Sequence, residues 1–186
     1  MPTLAKIRHR PTQPYANSCP GASPVRIELL ATHHRREGFD CGESALNQFL
    51  RQQAGQQQRK GFSKTYVALA DDDASVLGFV TVSVGQVSAA QLPPTLKLPR
   101  YPVPILRVGR LAVDTRCQGQ GMGQDLLAFA LRLALEFSRQ VGLYAVVVDA
   151  KHEPAGAFYQ RLGFLPTLDN SLCLYLSLAT LEQANP

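Results

Sequence analysis

No stretch of this 186-residue sequence approaches the roughly 18 consecutive apolar residues that a membrane-spanning helix needs. Lys6, Arg8 and Arg10 are followed by no apolar segment, so no secretory signal is expected. Pro11, Pro14 and Pro20 break the amphipathic helix that an organelle-targeting leader would require. The four cysteines, Cys19, Cys41, Cys117 and Cys173, form no Cys-x-x-Cys pair and have no histidine at finger spacing. A spaced zinc site is therefore not expected, and single thiols in a reducing cytoplasm are expected. Charged residues make up only 18% of the chain, and glutamines supply part of the remaining polarity. The 45% of hydrophobic residues is enough to fill the core of one domain of this length.

The charge that is present is unevenly placed. Residues 1–64 hold ten Lys/Arg against four Asp/Glu, whereas residues 65–186 hold nine against ten. A basic first third suits an anionic partner such as a nucleic acid, and it equally suits a basic leader with a solvated helix face. Residues 1–24, with Pro2, Pro11, Pro14, Pro20 and Pro24, read as a proline-rich flexible leader, and residues 25–180 as a single domain.

Val25–Leu30 alternates as a first strand. His33-His34-Arg35-Arg36 follows in a loop. Two adjacent histidines without carboxylates or cysteines beside them are poor metal ligands, so no metal is expected, while the basic cluster is a candidate phosphate contact. Asp40 and Glu43 have the spacing of a capping box, opening a helix with the apolar stripe Leu46, Phe49 and Leu50. Its polar face carries Arg51, and Arg59, Lys60 and Lys64 continue the positive charge. Thr65–Ala70 and Val76–Gly85 read as a hairpin around an acidic tip. Pro93, Pro94, Pro99 and Pro102 mark a long connection of the kind that lines binding clefts. A central strand is expected over Val103–Val113 and a helix over Gly123–Gln140, whose buried face runs Leu126, Leu127, Ala130, Leu131, Ala134, Leu135. Leu143–Asp149 reads as a strand buried on both faces, completing a βαβ crossover. Pro154 opens a short helix that Gly163 closes, Leu172–Leu178 is a last strand, and residues 179–186 read as a frayed tail.

Between the central strand and the long helix lies Gln118-Gly119-Gln120-Gly121-Met122-Gly123-Gln124. Alternating glycines let the backbone approach a phosphate closely and take positive φ. The free N–H groups and the dipole of the following helix then face the anion. Position 124 is glutamine, so the dinucleotide pattern Gly-x-Gly-x-x-Gly lacks its third glycine, and no Gly-Lys-Ser or Gly-Lys-Thr is present for a P-loop. What remains is Gln118-x-x-Gly121-x-Gly123. On the residues alone, a tight turn without a ligand stays open beside an anion site.

That pattern resembles the pyrophosphate-binding segment of the GNAT N-acetyltransferases. Phe39-Asp40-Cys41-Gly42, Leu46-Asn47-Gln48-Phe49-Leu50, Arg100-Tyr101-Pro102-Val103-Pro104, and Ala155, Phe158, Tyr159, Gly163 and Phe164 extend the likeness from about Phe39 to Phe164. Over that span the chain is similar to one branch of the superfamily, the tRNA-acetylating toxins of bacterial toxin–antitoxin pairs. The resemblance implies an α/β (α+β) fold with a mixed, splayed central sheet flanked by helices, and a bulge in the central strand. It implies acetyl-CoA held by Leu111, Ala112, Val113, Gln118, Gly119, Gln120, Gly121, Met122, Gly123, Gln124, His152, Ala155 and Phe158, with Tyr159 as general acid. By the same resemblance Arg35, Arg36, Arg51, Arg59, Lys60 and Lys64 would contact nucleic acid. The implied activity is transfer of an acetyl group to the amino group of aminoacyl-tRNA by a cytoplasmic toxin. The implied partners are a second copy in a homodimer and a ribbon-helix-helix antitoxin. His152 stands where the family has asparagine, which puts the usual side-chain hydrogen bond in question.

The chemistry is consistent with the residues available. Acetyl transfer to an amine needs an unprotonated nucleophile, a donor for the developing oxyanion and a proton for the departing thiolate. No strong general base stands out. An α-amine on an ester is less basic than a lysine, whose reference pKa is about 10.4, so a dedicated base is dispensable for an aminoacyl substrate. Two alternatives stay open: a GNAT enzyme acting on a small-molecule or protein amine, and a non-catalytic coenzyme-binding module.

Overall fold

The computed structural model describes residues 26–184 except 71 and 73, so the expected leader over residues 1–24 lies outside the described residues. Seven strands form one mixed sheet in the order β1-β2-β3-β4-β5-β7-β6. They are β1 (Arg26–Leu29), β2 (Lys64–Leu69), β3 (Val76–Val87), β4 (Val103–Val113), β5 (Ala145–Asp149), β6 (Leu165–Pro166) and β7 (Cys173–Ser177). The helices are α1 (Ser44–Gln48), α2 (Ala54–Arg59), α3 (Met122–Ser138), α4 (Glu153–Arg161) and α5 (Leu178–Ala184). No helix among the described residues is long and apolar enough to cross a membrane. The described residues divide into two compact units, and β3, β4 and α3 each run through both.

One unit holds residues 26–83 and 109–130. Here β1 pairs antiparallel with β2, and β2 with β3, with a register shift between Ala68 and Leu69. Phe79 is fully buried, with Phe39 edge-on at 5.6 Å and Phe49 stacked at 6.1 Å. The capping box expected at Asp40 and Glu43 does not form: α1 starts at Ser44, and Glu43 makes no side-chain cap. Gly42, at φ 82°, turns the chain first. Asp40 Oδ1 accepts hydrogen bonds from Gly42 N at 2.9 Å and Asn47 Nδ2 at 2.7 Å instead. A π-helical turn, Phe49–Gln53, joins α1 to α2, and its wider winding keeps Gln53 exposed while Ala54 is buried.

The other unit holds residues 84–108 and 131–184. Its centre is β5, whose residues Ala145–Val148 are fully buried between two neighbours. On one side Ile105–Val108 of β4 run parallel to Ala145–Val148, and on the other β7 runs antiparallel. A strand covered on both faces reads as one continuous apolar run, which is what Ala145-Val146-Val147-Val148 is. Val87, Leu92, Val103, Ile105, Val147 and Tyr175 pack together in its core. The expected frayed tail is instead α5 as far as Ala184. Ser177 Oγ accepts the Thr180 N–H at 3.2 Å, a helix cap, and Leu178 and Leu181 are buried. Cys41 and Cys173 are free thiols, whereas Cys117 is disulfide-bonded, against the expectation of single thiols throughout.

Gly78 of β3 lies tight against side chains of α3. A Cβ there would stand 2.9 Å from Leu126 Cδ1, 3.1 Å from the Ala112 carbonyl oxygen and 3.2 Å from Met122 Sδ. We expect Gly78→Ala to destabilise the fold by about 1–3 kcal/mol through overpacking, read by urea denaturation. An unchanged midpoint would show that α3 shifts without cost.

Candidate functional site

The glycine turn is built from the end of β4. Asp114, only 1% exposed, follows the strand. Its Oδ1 accepts the Arg116 backbone N–H at 3.0 Å and Arg116 Nε at 2.8 Å, and its Oδ2 accepts Arg116 Nη2 at 2.9 Å and the Asp40 N–H at 3.2 Å. Burial pushes the carboxyl pKa up, but these bonds outweigh it and the net shift is downward. The ionised form thus holds the 3₁₀ turn Thr115–Cys117 in place. Thr115 N donates to the Asp40 carbonyl at 2.8 Å, which fastens the Asp40–Gly42 loop to the same point.

Gln118 continues the brace. Its Nε2 donates to the Cys41 carbonyl at 3.0 Å and to the Val113 carbonyl at 2.9 Å. The side chain expected to meet the coenzyme therefore ties the turn back to the strand. Gly119 at φ 75° and Gly121 at φ 95° then pass through the left-handed region, where a side chain would be strained. Nothing lies within 4 Å of where a Cβ would stand on either, so the turn is open to close approach. Gln120 Nε2 donates to the Arg116 carbonyl at 3.1 Å. Met122 is 3% exposed and Ala112 6%, so their side chains belong to the core and only their backbone is on offer. Leu111 and Gly123 are half-buried, Val113 is buried, and Gln124 is exposed. Met122 and Gly123 sit in the first turn of the 17-residue α3, where N–H groups have no intrahelical acceptor. An open, glycine-lined row of N–H donors at a helix start fits a pyrophosphate. The pairing of β4 with β5 covers Ile105–Val108 and does not extend to Gly109–Val113.

The remaining expected coenzyme and catalytic residues lie on α4, in the other unit. His152 solves the missing asparagine in its own way. Its Nδ1 accepts the Ala155 N–H at 3.2 Å, so the imidazole caps α4 as an asparagine carbonyl would. Ala155 and Phe158 are half-buried, and the Phe158 ring stands edge-on to Tyr159 at 5.1 Å, with Phe164 edge-on at 5.8 Å on another side. Tyr159 is 7% exposed. Burial, with the charge of Asp149 behind it, pushes its hydroxyl up to about 12. That hydroxyl has no hydrogen-bond partner among the described residues and is not sealed from solvent. Sequence reading missed the ion pair behind it: Arg107 Nη1 donates to Asp149 Oδ2 at 2.5 Å. The two are 42 positions apart, and only the β4–β5 register places them side by side.

The six basic residues expected at nucleic acid fall into two groups, all in the first unit. Arg35 pairs with Asp72 and with Ser75 Oγ, and Arg51 Nη2 donates to the Phe39 carbonyl at 2.7 Å. Both hold loops together. Arg36 and Arg59 each bring an Nη1 to 3.5 Å from the Cβ position of Gly55, and Lys60 and Lys64 are exposed. The histidine pair does have a carboxylate beside it, contrary to the sequence reading, because Glu28 projects from β1 toward His34 Nε2 at 2.9 Å. His34 Nδ1 accepts the Ala31 N–H at 3.0 Å, so Nε2 carries the ring proton and has no lone pair for a metal.

Comparison with known proteins adds identity to this geometry. Residues 61–166 match the family described as acetyltransferase (GNAT) domain. A tRNA-acetylating toxin of Mycobacterium tuberculosis is 35% identical over 128 residues, 68% of this chain and 75% of that protein. The structure of AtaT complexed with acetyl-methionyl-tRNAfMet has a TM-score of 0.81 at 32% identity, covering 86% of this chain and 98% of that one. A mutant AtaT toxin bound to the C-terminus of the antitoxin AtaR and to acetyl-CoA has a TM-score of 0.76 at 30% identity, covering 86% and 96%.

His152→Ala should cost about 1 kcal/mol of stability, as loss of a helix cap does, whereas His152→Asn should restore it. Urea denaturation distinguishes the two, and equal losses in both variants would show that the imidazole does something other than cap α4.

Proposed function

The chain belongs to the GNAT acetyltransferase family, and from that premise we propose that it transfers an acetyl group from acetyl-CoA to the amino group of aminoacyl-tRNA, acting as a toxin that blocks translation. The observation that carries this reading is the likeness, over 86% of the chain, to AtaT solved with its acetylated methionyl-tRNA. Residues 25–180 act as one acyltransferase domain in this proposal. A homodimer, a ribbon-helix-helix antitoxin and a cytoplasmic location belong to it as well.

Acetyl-CoA supplies the acetyl thioester. The N–H groups of Gly119–Gly123 would hold its pyrophosphate, with Gln124, whose own N–H donates to the Gly121 carbonyl at 2.9 Å, beside them; the backbone of Leu111 and Val113 would hold the pantetheine arm and polarise the thioester carbonyl. Ala112 and Met122 contribute backbone alone. Gln118 and His152 act as positioning residues, one bracing the turn and the other capping α4. Ala155 and Phe158 flank the coenzyme from α4. Tyr159 keeps its proton at neutral pH because burial holds its acidity down, and it gives that proton to the departing thiolate. The aminoacyl α-amine enters partly neutral and needs no base from the protein. Arg36, Arg59, Lys60 and Lys64 meet RNA phosphates, supported by Arg35 and Arg51. Such contacts make binding fall steeply with salt.

Radiolabelled acetyl groups should pass from acetyl-CoA to bulk charged tRNA and not to the same tRNA deacylated. Tyr159→Phe should lower kcat about 10²–10⁴-fold while binding acetyl-CoA normally. Label on neither RNA, from protein that binds the coenzyme, would direct the search to small amines and protein N-termini. In the pH profile, a tyrosine raised to about 12 loses its proton only near that value. The rate should therefore show no Tyr159-dependent alkaline decline below about pH 11. A decline centred near pH 10, absent from Tyr159→Phe, would contradict the assignment.

A further inference from the structure

The end of β5 carries a carboxylate that the steps above leave unused. Asp149 is the last residue of the strand and stands opposite Cys173 of β7. Its Oδ2 accepts Arg107 Nη1 at 2.5 Å, which holds the side chain in one place while leaving it 47% exposed. A carboxylate has about four lone-pair sites. Arg107 takes one and the Cys173 thiol another, so acceptor capacity remains open. Asp149 follows Val147 on the face that packs with Ile105 and Cys173. Ala150, the next residue, is turned toward α4, where the Cβ position of Gly156 lies 3.9 Å from its own Cβ. Tyr159, almost one turn beyond Gly156, shares that side of α4. The charge of Asp149 nevertheless reaches the Tyr159 hydroxyl. The end of β5 thus has a proton donor toward one face and a held, open carboxylate toward the other.

In acetyl transfer the departing sulfur and the arriving nitrogen are bonded to one carbon in the intermediate. A charge that reaches the hydroxyl serving the sulfur therefore also acts on the nitrogen. As the N–C bond forms, the carbonyl π pair moves to oxygen and the nitrogen becomes positive. The C–S bond then breaks with its electron pair on sulfur, which takes the Tyr159 proton. The nitrogen releases its extra proton to water, and Tyr159 regains one from water. We infer that Asp149, positioned by Arg107, is a further catalytic residue: its open oxygen accepts an N–H of the acceptor amine and stabilises the positive charge that the nitrogen acquires. The inference rests on the transfer reading above, with Tyr159 as the acid. It also sets a substrate class. An ionised carboxylate only accepts hydrogen bonds, so a second carboxylate beside it is repelled and unmatched. The site takes aminoacyl groups with neutral or cationic side chains and disfavours aspartyl and glutamyl groups.

The test is acetyl transfer by the full chain to one tRNA body charged in turn with asparagine and with aspartate, which differ in charge and hardly in size. Glycine ethyl ester serves as a small acceptor in parallel. Asp149→Asn should lower kcat on asparaginyl-tRNA about 10²-fold, with acetyl-CoA binding and thermal melting unchanged. Asp149→Glu, which keeps the charge, should retain more activity than Asp149→Asn. The parent should prefer asparaginyl over aspartyl at least about fivefold, and in Asp149→Asn that ratio should fall to about one. Equal rates and equal selectivity in parent and Asp149→Asn overturn the inference and leave the reaction standing. A lower melting point with the aspartyl discrimination intact marks a purely structural ion pair and overturns it too. Transfer to glycine ethyl ester that drops in Asp149→Asn, with none to charged tRNA by the parent, supports Asp149 and overturns the tRNA reading instead. No transfer to either acceptor overturns both.

Discussion

The buried carboxylate of Asp114 is the constraint on which the glycine turn depends. A single side chain at the end of β4 accepts from Arg116 backbone and guanidinium and from the Asp40 N–H. It fixes the exit from the strand and anchors the loop that precedes the first helix. A buried charge without partners would be strongly destabilising, so the network is stable only when complete. With the exit fixed, Gln118 can reach two carbonyls at once, and two glycines can take positive φ without losing their position. The shape of the glycine turn is therefore a property of its braces rather than of glycine flexibility.

The proposed acid end of the chemistry obeys a different rule. Tyr159 is surrounded by Phe158 and Phe164 and lies in the field of the Asp149 carboxylate. Apolar burial and a nearby negative charge both disfavour tyrosinate, so the group stays a proton donor across the physiological range. Arg107 offsets the charge of Asp149 by pairing with it directly. No comparably placed base is required if the acceptor is an ester-linked α-amine. That link between the nucleophile's own acidity and a mechanism that needs no base ties the proposed substrate to the proposed mechanism.

Much of this was legible in the residues. Alternation gave the strands, the 3.6-residue stripe gave α3, and β4 spans Val103–Val113 as expected. The glycine spacing marked the turn because left-handed backbone at a phosphate is a local requirement that few other residues meet. Boundaries set by longer-range partners were read less well. Asp40 had the spacing of a cap, but Gly42 redirects the chain and α1 begins later. The terminal helix α5 was read as a tail, because its cap, Ser177, is also the last residue of β7.

By itself, then, the sequence determined the main strands and the long helix α3, and it marked the glycine turn and the tyrosine that the proposal uses as acid. These follow from interactions within a few residues of one another. Only the tertiary structure decided which polar side chains are engaged and which are open. Arg35 finds Asp72 across 37 positions, Arg51 finds the Phe39 carbonyl, Arg107 finds Asp149, and Gln118 turns inward to Cys41 and Val113. Strand register and loop closure choose such partners, and they operate over distances along the chain on which composition and periodicity carry no information. The open carboxylate of Asp149 belongs to that second class: Arg107 holds it only when β4 and β5 lie side by side in register.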